Sequence, residues 1–420
     1  MTATTDLLDF VRAGHRLPGA VRADTLRLLA DTLAVGAAGT TAPGAAGVLA
    51  AARGWGAGED ARLIGGGGRL PAAGAAFVNA FRIHCLEWDA VHEPAVVHAL
   101  SVVTAALGVA IDRRGGCDPE DALVALAIGV DVASGLGVAA TSPLSFFRPA
   151  TAGCIGAALA VARIERVEPL ADVLGLAYSF CAGTMQAHVE GSIALPLQIA
   201  NAARSAIMAV DLARAGLTGP HDALEGPFGY FKLFDQGDAA IVSAALGQNW
   251  RISEISTKPF PSGRASHAVL GALAELEDVE SVEAHVPPLI ARLVGRPFKP
   301  DMTPAYARLC LPLLAVLMLR DGRIDPRCFT PETFADPVIA ARAASIRILV
   351  DDNPDLNALS PQRLIVNGST EILVPHTLGS PDARLSPTQA AAKLSLAREL
   401  ASAADPRLFA DPLAYFTEPA

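Results

Sequence analysis

Between His84 and His98 the chain places three histidines (His84, His92, His98) and three carboxylates (Glu87, Asp89, Glu93). They lie inside a run from Ala75 to Ile111 that is otherwise almost wholly apolar. A lone buried histidine is ordinarily a satisfied core residue. Six titratable groups in an apolar run are different, because each buried charge needs a partner and perturbed groups gather at functional sites. Pro94 suits the first turn of a helix and disfavours helix at Glu93. The spacing therefore predicts one helix ending near Val91, a break at His92-Glu93, and a second helix from Pro94. Asp89 and His92 then sit three apart at a helix end, with His98 about one turn into the next helix and facing back. Helix ends carry unsatisfied backbone groups and dipole charge, which gives polar chemistry a physical reason to sit there.

At 420 residues, with 51% hydrophobic and 18% charged side chains, the chain buries a sizeable core, expected as two domains with a subunit interface. No membrane span is expected. The apolar run 95–111 is interrupted by His98, Ser101 and Thr104, and the run 309–319 is too short. Asp6, Asp9 and Arg12 argue against a secretory signal, so a soluble, cytoplasmic protein is expected. The net charge of −10 and the absence of a basic run exclude a nucleic-acid partner. Six scattered cysteines without a Cys-x-x-Cys pair point to a reducing compartment, without disulfides or a zinc site. His92, His98 and Asp89 match no standard ligand spacing, so no metal is expected.

Leu26, Leu29 and Leu33 give a helical stripe within residues 7–39, with Gly36 as its stop, and residues 45–53 form a short Ala-rich helix. The glycine run at 65–68 has no following Lys-Ser/Thr and no strand before it, so it reads as a turn rather than a phosphate loop. Residues 118–140, 151–164, 168–184 and 198–216 are helical by periodicity, and the texture stays α to about residue 245. Strand-like runs follow at 279–286, 344–350, 363–366 and 370–374, within an α+β segment spanning about 251–382. Helix returns after Ser386, a fitting N-cap. The fold class is thus mainly α with an α+β part: residues 1–250 with 383–420 as a large helical domain, and 251–382 as a smaller one.

A second dense stretch runs from Lys258 to His267, Lys-Pro-Phe-Pro-Ser-Gly-Arg-Ala-Ser-His. Two prolines and a glycine fix its backbone. Lys258, Arg264 and His267 supply positive charge and a titratable ring, and Ser262 a hydroxyl. Arginine suits bidentate carboxylate recognition and lysine acts as a point charge, so this basic loop in an acidic chain predicts a small acidic substrate. Arg148, before a helix start, is a further anion candidate. Tyr306 and Arg308 lie beside a buried-looking helix. Met185, Gln186, His188 and Glu190 end another helix, without a partner in sequence. No Gly-x-Ser-x-Gly elbow or dinucleotide fingerprint is present.

Five blocks, in order, carry a resemblance: LPGAVRADTLRLLADTLAVGAAG, AAFVNAFRIHCLEWDAVHE, ATAGCIGAALAVARI, NAARSAIMAVDLARAGLTGPHDALEGPFGY and KPFPSGRASHAVLGAL. With the tail IVNGSTEILVPHTLGSPDARLSPTQAAAKL they make the chain resemble, over essentially its whole length, the MmgE/PrpD family. That family includes dehydratases, a decarboxylase and an epimerase of small acids. The resemblance implies a large helical domain built from both chain ends and a smaller α+β lid. It also implies a homodimer, no metal or organic cofactor, and a site between the two domains. By motif position Glu87 and Asp89 fall in the family's aspartate-rich segment, and His98 near its downstream histidine. Lys258, Arg264 and His267 fall at the basic positions of the lid motif. The family's Asp-Asp-Thr run reads Asp89-Ala90-Val91 here. Phe147-Arg148 stand where a histidine is common, Leu195 and Gln198 where lysine and histidine are, and Leu313 where a tyrosine is. These departures separate the chain from the family's decarboxylase and methylcitrate dehydratase patterns.

The expected chemistry is abstraction of a proton α to a carboxylate or carbonyl of a small di- or tricarboxylate. His98, His92 or His267 is the base, because imidazole titrates near working pH. Asp89 or Glu87 orients that base or acts as acid, and Lys258 and Arg264 hold the substrate and stabilise the developing charge, with Ser262 and Arg148 beside them. Loss of water makes a dehydratase, the leading expectation; reprotonation on the opposite face makes an epimerase, and loss of CO2 from a related acid a decarboxylase. A catalytically silent member that binds an acidic metabolite is the alternative from another class.

Overall fold

A computed structural model of the chain describes residues 2–355, 358–401 and 404–419. Up to residue 250 the chain is helical apart from a two-stranded hairpin, Ala61–Arg62 with Arg69–Leu70. Three helices form the centre: Ala99–Arg113, Pro119–Val138 and Arg148–Glu165, each buried on nearly every face. Such all-round apolarity marks a core helix. Pro119–Val138 is long and apolar enough to cross a bilayer, yet 89% of that stretch is buried among its neighbours; Gly19–Thr41 with Ala45–Arg53 meets the same criterion only as a pair bent by 91°. Gly129 and Gly156 face each other across two of these helices. A Cβ at either would run into the other's backbone carbonyl, so two glycines set how closely the helices approach. Ala72–His84 and Ala194–Arg214 complete the layer around them.

The glycine turn at 65–68 has positive φ at all four residues. Its surroundings present carbonyls, not N–H groups, to a charge: Arg82 donates to Ile64 O at 2.6 Å and Gly66 O at 2.7 Å. Helix Gly19–Ala38 runs through Gly36, the expected stop, because Gly36 lies against the side chains of Ile83 and Ile64 and serves packing there.

The larger sheet has the order Ile346–Val350, Val282–Val286, Gln362–Val366, Thr370–Val374, parallel between the first two and antiparallel thereafter. Ala284 pairs with Ile348 and Leu364, and Val282, Ala284, Val286, Leu364 and Val366 turn inward. Helices His267–Leu273 and Leu311–Asp321 pack against it. The chain is a large helical domain with a smaller α+β domain. Helix Pro387–Leu400 starts in a full capping box, with Ser386 and Gln389 bonding each other's backbone, and packs back on Gly19–Ala38. Its Lys393 is sealed between Asp31, at 2.6 Å, and the carbonyl of Trp88, at 3.2 Å.

Candidate active site

The dense stretch is not the helix–break–helix that Pro94 suggests. Helix Ala72–His84 stops at its histidine, capped by Cys85, and the next helix begins at Ala99. Between them Glu87 and Val96 adopt the left-handed conformation, both with φ 53°, which side chains other than glycine adopt only under local constraint. Glu93 to Val96 close a turn through a 3.0 Å bond, with Pro94 at its second position, where its fixed φ is favoured. His92 and Val97 exchange backbone hydrogen bonds across this turn at 2.9 and 3.2 Å. Proline here initiates a turn, not a helix, and His98 becomes the N-cap position of the second helix.

That loop gathers its polar groups around Asp89, which is fully buried. His84 Nδ1 lies at hydrogen-bond distance from Asp89 Oδ2, 2.9 Å, and Ser101 Oγ donates to the same oxygen. His98 Nδ1 stands 3.0 Å away, near enough for charge attraction but off the hydrogen-bond line. The two rings meet edge to face with centroids 4.8 Å apart. Burial pushes the Asp89 carboxyl upward, but His84 and His98 outweigh it and hold the pKa well below the carboxylate range. The two rings divide. Burial lowers both, yet Asp89 and Glu87 lift the His84 pKa above the ordinary imidazole value. At His98 burial wins, aided by Lys258 and His84, and the pKa falls below it. The N-terminus of a helix also disfavours a cation there. One ring is thus biased to imidazolium and the other to free base.

The wall beyond them is shared between the two halves of the chain. His84, Glu87, Glu93, His98, Arg148 and His188 line a cavity of about 90 Å³ together with Arg264 and the apolar Val294 and Leu309. The loop at 258–267 meets the central stretch directly. Lys258, fully buried, donates to the carbonyl of Glu87 at 3.1 Å and lies 3.2 Å from its carboxylate. Burial raises the Glu87 carboxyl, but Lys258, with His84 and His98, outweighs it and brings the pKa down to about 2. Arg264 Nη2 is 2.7 Å from Glu93 and Nη1 is bonded to Leu378 O at 2.6 Å.

The structure places the expected site residues in two groups. His98, Glu87, Arg148 and Arg264 line the cavity, with Asp89 and Lys258 directly behind. His92, Ser262 and His267 stand off it. His92 Nε2 sits 2.9 Å from Glu254 while its Nδ1 accepts the N–H of Ala95, which fixes the turn. His267 is fully buried, 3.1 Å from Ser262 Oγ, and burial with Arg264 and Lys258 nearby drives its pKa far down. Arg148 is clasped by Asp235, both Nε and Nη2 at 3.0 Å, with Tyr230 donating to the same carboxylate at 2.9 Å.

His84 as partner of Asp89, Ser101, Asp235 and His188 enter the site only through the structure. Ser101 carries a signal, since it lies three residues after His98 on the first helical turn. His188 and Asp235 carry none, being brought in from distant segments. Burial, and Arg296 beside it, bring the His188 ring down to about 4, so it is neutral. Among the described residues, the side chains of His84, Asp89 and His98 form the one group, its atoms within 4.8 Å, that could hold a metal ion. His84 Nδ1 and His98 Nδ1 both approach one oxygen of Asp89, at 2.9 and 3.0 Å, while Asp89 Oδ1 and His84 Nε2 have no hydrogen-bond partner among the described residues.

Comparison with known proteins agrees with this architecture. A cis-aconitate decarboxylase of Homo sapiens is 28% identical over 282 residues, covering 62% of this chain and 58% of that protein. The Mus musculus cis-aconitate decarboxylase is 26% identical over 318 residues, covering 68% and 62%. The cis-aconitate decarboxylase-like protein oryM of Aspergillus oryzae is 27% identical over 284 residues, covering 62% and 59%. The chain therefore spans 58–62% of the length of these relatives. Residues 10–242 match the MmgE/PrpD N-terminal domain and residues 260–406 the MmgE/PrpD C-terminal domain, so the chain belongs to the MmgE/PrpD family.

Proposed function

We propose that this chain is a cofactor-independent lyase of the dehydratase type, acting on a small carboxylic acid by removing a proton α to a carboxylate or carbonyl. The likeness to its relatives points to a di- or tricarboxylic acid. The observation that carries the reading is the pair of histidines sharing Asp89 with their pKa values driven apart, since such divergence assigns acid and base. His98, neutral and on the wall, takes the α-proton. Asp89 orients it and stabilises the imidazolium that forms. His84, charged, donates a proton to the departing group. Lys258 and Arg264 supply positive potential as the enolate-like charge develops, with Glu87 positioning Lys258. His92, Ser262 and His267 act through the loops they brace. Residues 1–250 with 383–420 form the helical domain and 251–382 the lid over the site, in a cytoplasmic homodimer.

Decarboxylation is the second reading, favoured by the likeness to cis-aconitate decarboxylases; there the C–CO2 bond breaks with its electron pair left on carbon, Lys258 and Arg264 stabilise that carbanion, and the charged His84 protonates it. Incubation in D2O with α-protonated acids, followed by proton NMR, tests the reading. Deuterium at the α-carbon together with a new vinyl signal is expected. A vinyl signal with release of CO2 selects the decarboxylase, and exchange without net conversion an epimerase. A folded protein that exchanges nothing overturns the lyase in favour of a silent binding protein.

A further inference from the structure

Two pairs of consecutive residues divide the space behind the site. Glu87 and Leu309 line the cavity beside His98, while Leu86 and Arg308 line a second cavity of about 400 Å³. This one too is shared by the two halves of the chain. Ala42, Pro43 and Leu400 from the helical part and Pro326 and Phe329 from the other make most of its wall apolar. At its rim Arg327 and Glu399 lie 3.5 Å apart and answer each other's charge.

The charge of Arg308 is not answered in this way. The residue is 2% exposed, and its guanidinium lies over the ring of Phe329, 5.0 Å from the centroid. Nη1 donates to the carbonyl of Cys85 at 3.3 Å. Among the described residues, Nε and Nη2 have no hydrogen-bond partner and no carboxylate pairs with the group. Glu87 attracts it from the other side of the partition but is committed to Lys258 at 3.2 Å. The two idle donors share one edge of the guanidinium. By that same edge Arg148 grips Asp235 and Arg62 grips Asp112. Such an edge matches the two oxygens of a carboxylate, and a buried cation without a counter-charge is costly.

We propose that this second cavity is a binding site for a carboxylate with an apolar body, distinct from the site of proton abstraction. The two oxygens take Nε and Nη2 of Arg308, and the body lies along Leu86, Phe329 and Leu400. The proposal stands apart from the lyase reading, since it concerns another cavity and needs no turnover. The two sites are neighbours all the same: Arg308 holds the carbonyl of Cys85, which caps the helix ending at His84.

Titration calorimetry with hexanoate, hexanol and acetate separates the two parts of such a ligand. Hexanoate should bind roughly tenfold or more tightly than hexanol, which lacks the charge-assisted pair, and than acetate, which lacks the apolar body. Arg308→Met keeps the bulk but removes the fork, and should abolish the preference for hexanoate over hexanol. His98→Gln, in the other cavity, should leave hexanoate affinity unchanged. If Arg308→Met does not fold, Thr41→Glu on the exposed rim adds a repelling carboxylate, and should weaken hexanoate while sparing hexanol. Four outcomes overturn the proposal: no binding of hexanoate, equal affinity for hexanoate and hexanol, a wild-type preference retained in Arg308→Met or Thr41→Glu, or hexanoate binding lost in His98→Gln.

Discussion

Asp89 and Asp131 are both aspartates sealed in the helical part, 0% and 1% exposed, and their carboxyls are driven in opposite directions. Asp89 sits between two imidazoles and a serine hydroxyl and stays ionised. Asp131, inside helix Pro119–Val138, accepts one backbone N–H, from Arg251 at 2.6 Å. Burial, with Glu254 adding repulsion, lifts it to about 7 against what Arg251 restores. Burial is the same in both places. Partners decide the charge, and only the ionised carboxylate can orient a proton-transferring ring.

The comparison breaks most sharply at Asp89→Asn, which keeps the shape but removes the charge. By analogy with other histidine-orienting aspartates, kcat should fall on the order of 10⁴-fold with the fold intact by circular dichroism; a fall under tenfold would remove Asp89 from the proposed chemistry. His98→Gln should lower kcat/KM by roughly 10²–10⁴-fold. The wild-type pH profile should be a bell straddling pH 6.5, since His98 must be neutral and lies below that value while His84 must be charged and lies above it. His98→Gln should erase the acid limb alone.

Asp131→Asn sharpens the other side. The folded carboxyl holds its proton up to about pH 7 while the unfolded chain releases it near 3.8, so native protein binds more protons between those values. Wild-type stability therefore falls relative to the variant by about 1.4 kcal/mol per pH unit across that window, read from urea melts, with activity unchanged. A flat difference would show that Asp131 is ionised in the fold. Smallest is Glu254→Gln, which breaks a half-exposed contact to His92 and should cost under about 1 kcal/mol. It should also move the Asp131 midpoint slightly below 7.

Strong local patterns are plain in the sequence. The strands at 282–286, 346–350, 362–366 and 370–374 and the helix after Ser386 fall where alternation and capping put them. The cluster at 84–98 is visible as a concentration of charge in apolar sequence. What it does is not visible, because Pro94 serves a helix start and a turn equally well. The tertiary demand to bring His84, His98 and Ser101 onto one carboxylate decides between them. Arg148 reads as an anion site from its place before a helix, but its anion is Asp235, 87 residues away. His188 arrives by a similarly distant route, and local spacing carries no record of either.

Lys393 binds the carbonyl of Trp88 across 305 residues of sequence, and Asp31 across 362. During vectorial synthesis the helices before residue 250 emerge and collapse long before that ammonium leaves the ribosome. The loop carrying Asp89 is therefore among the last parts of the helical domain to be fastened. A nascent chain halted in the α+β segment would hold a formed core around an unfinished centre, so activity would appear only once Lys393 has emerged and docked.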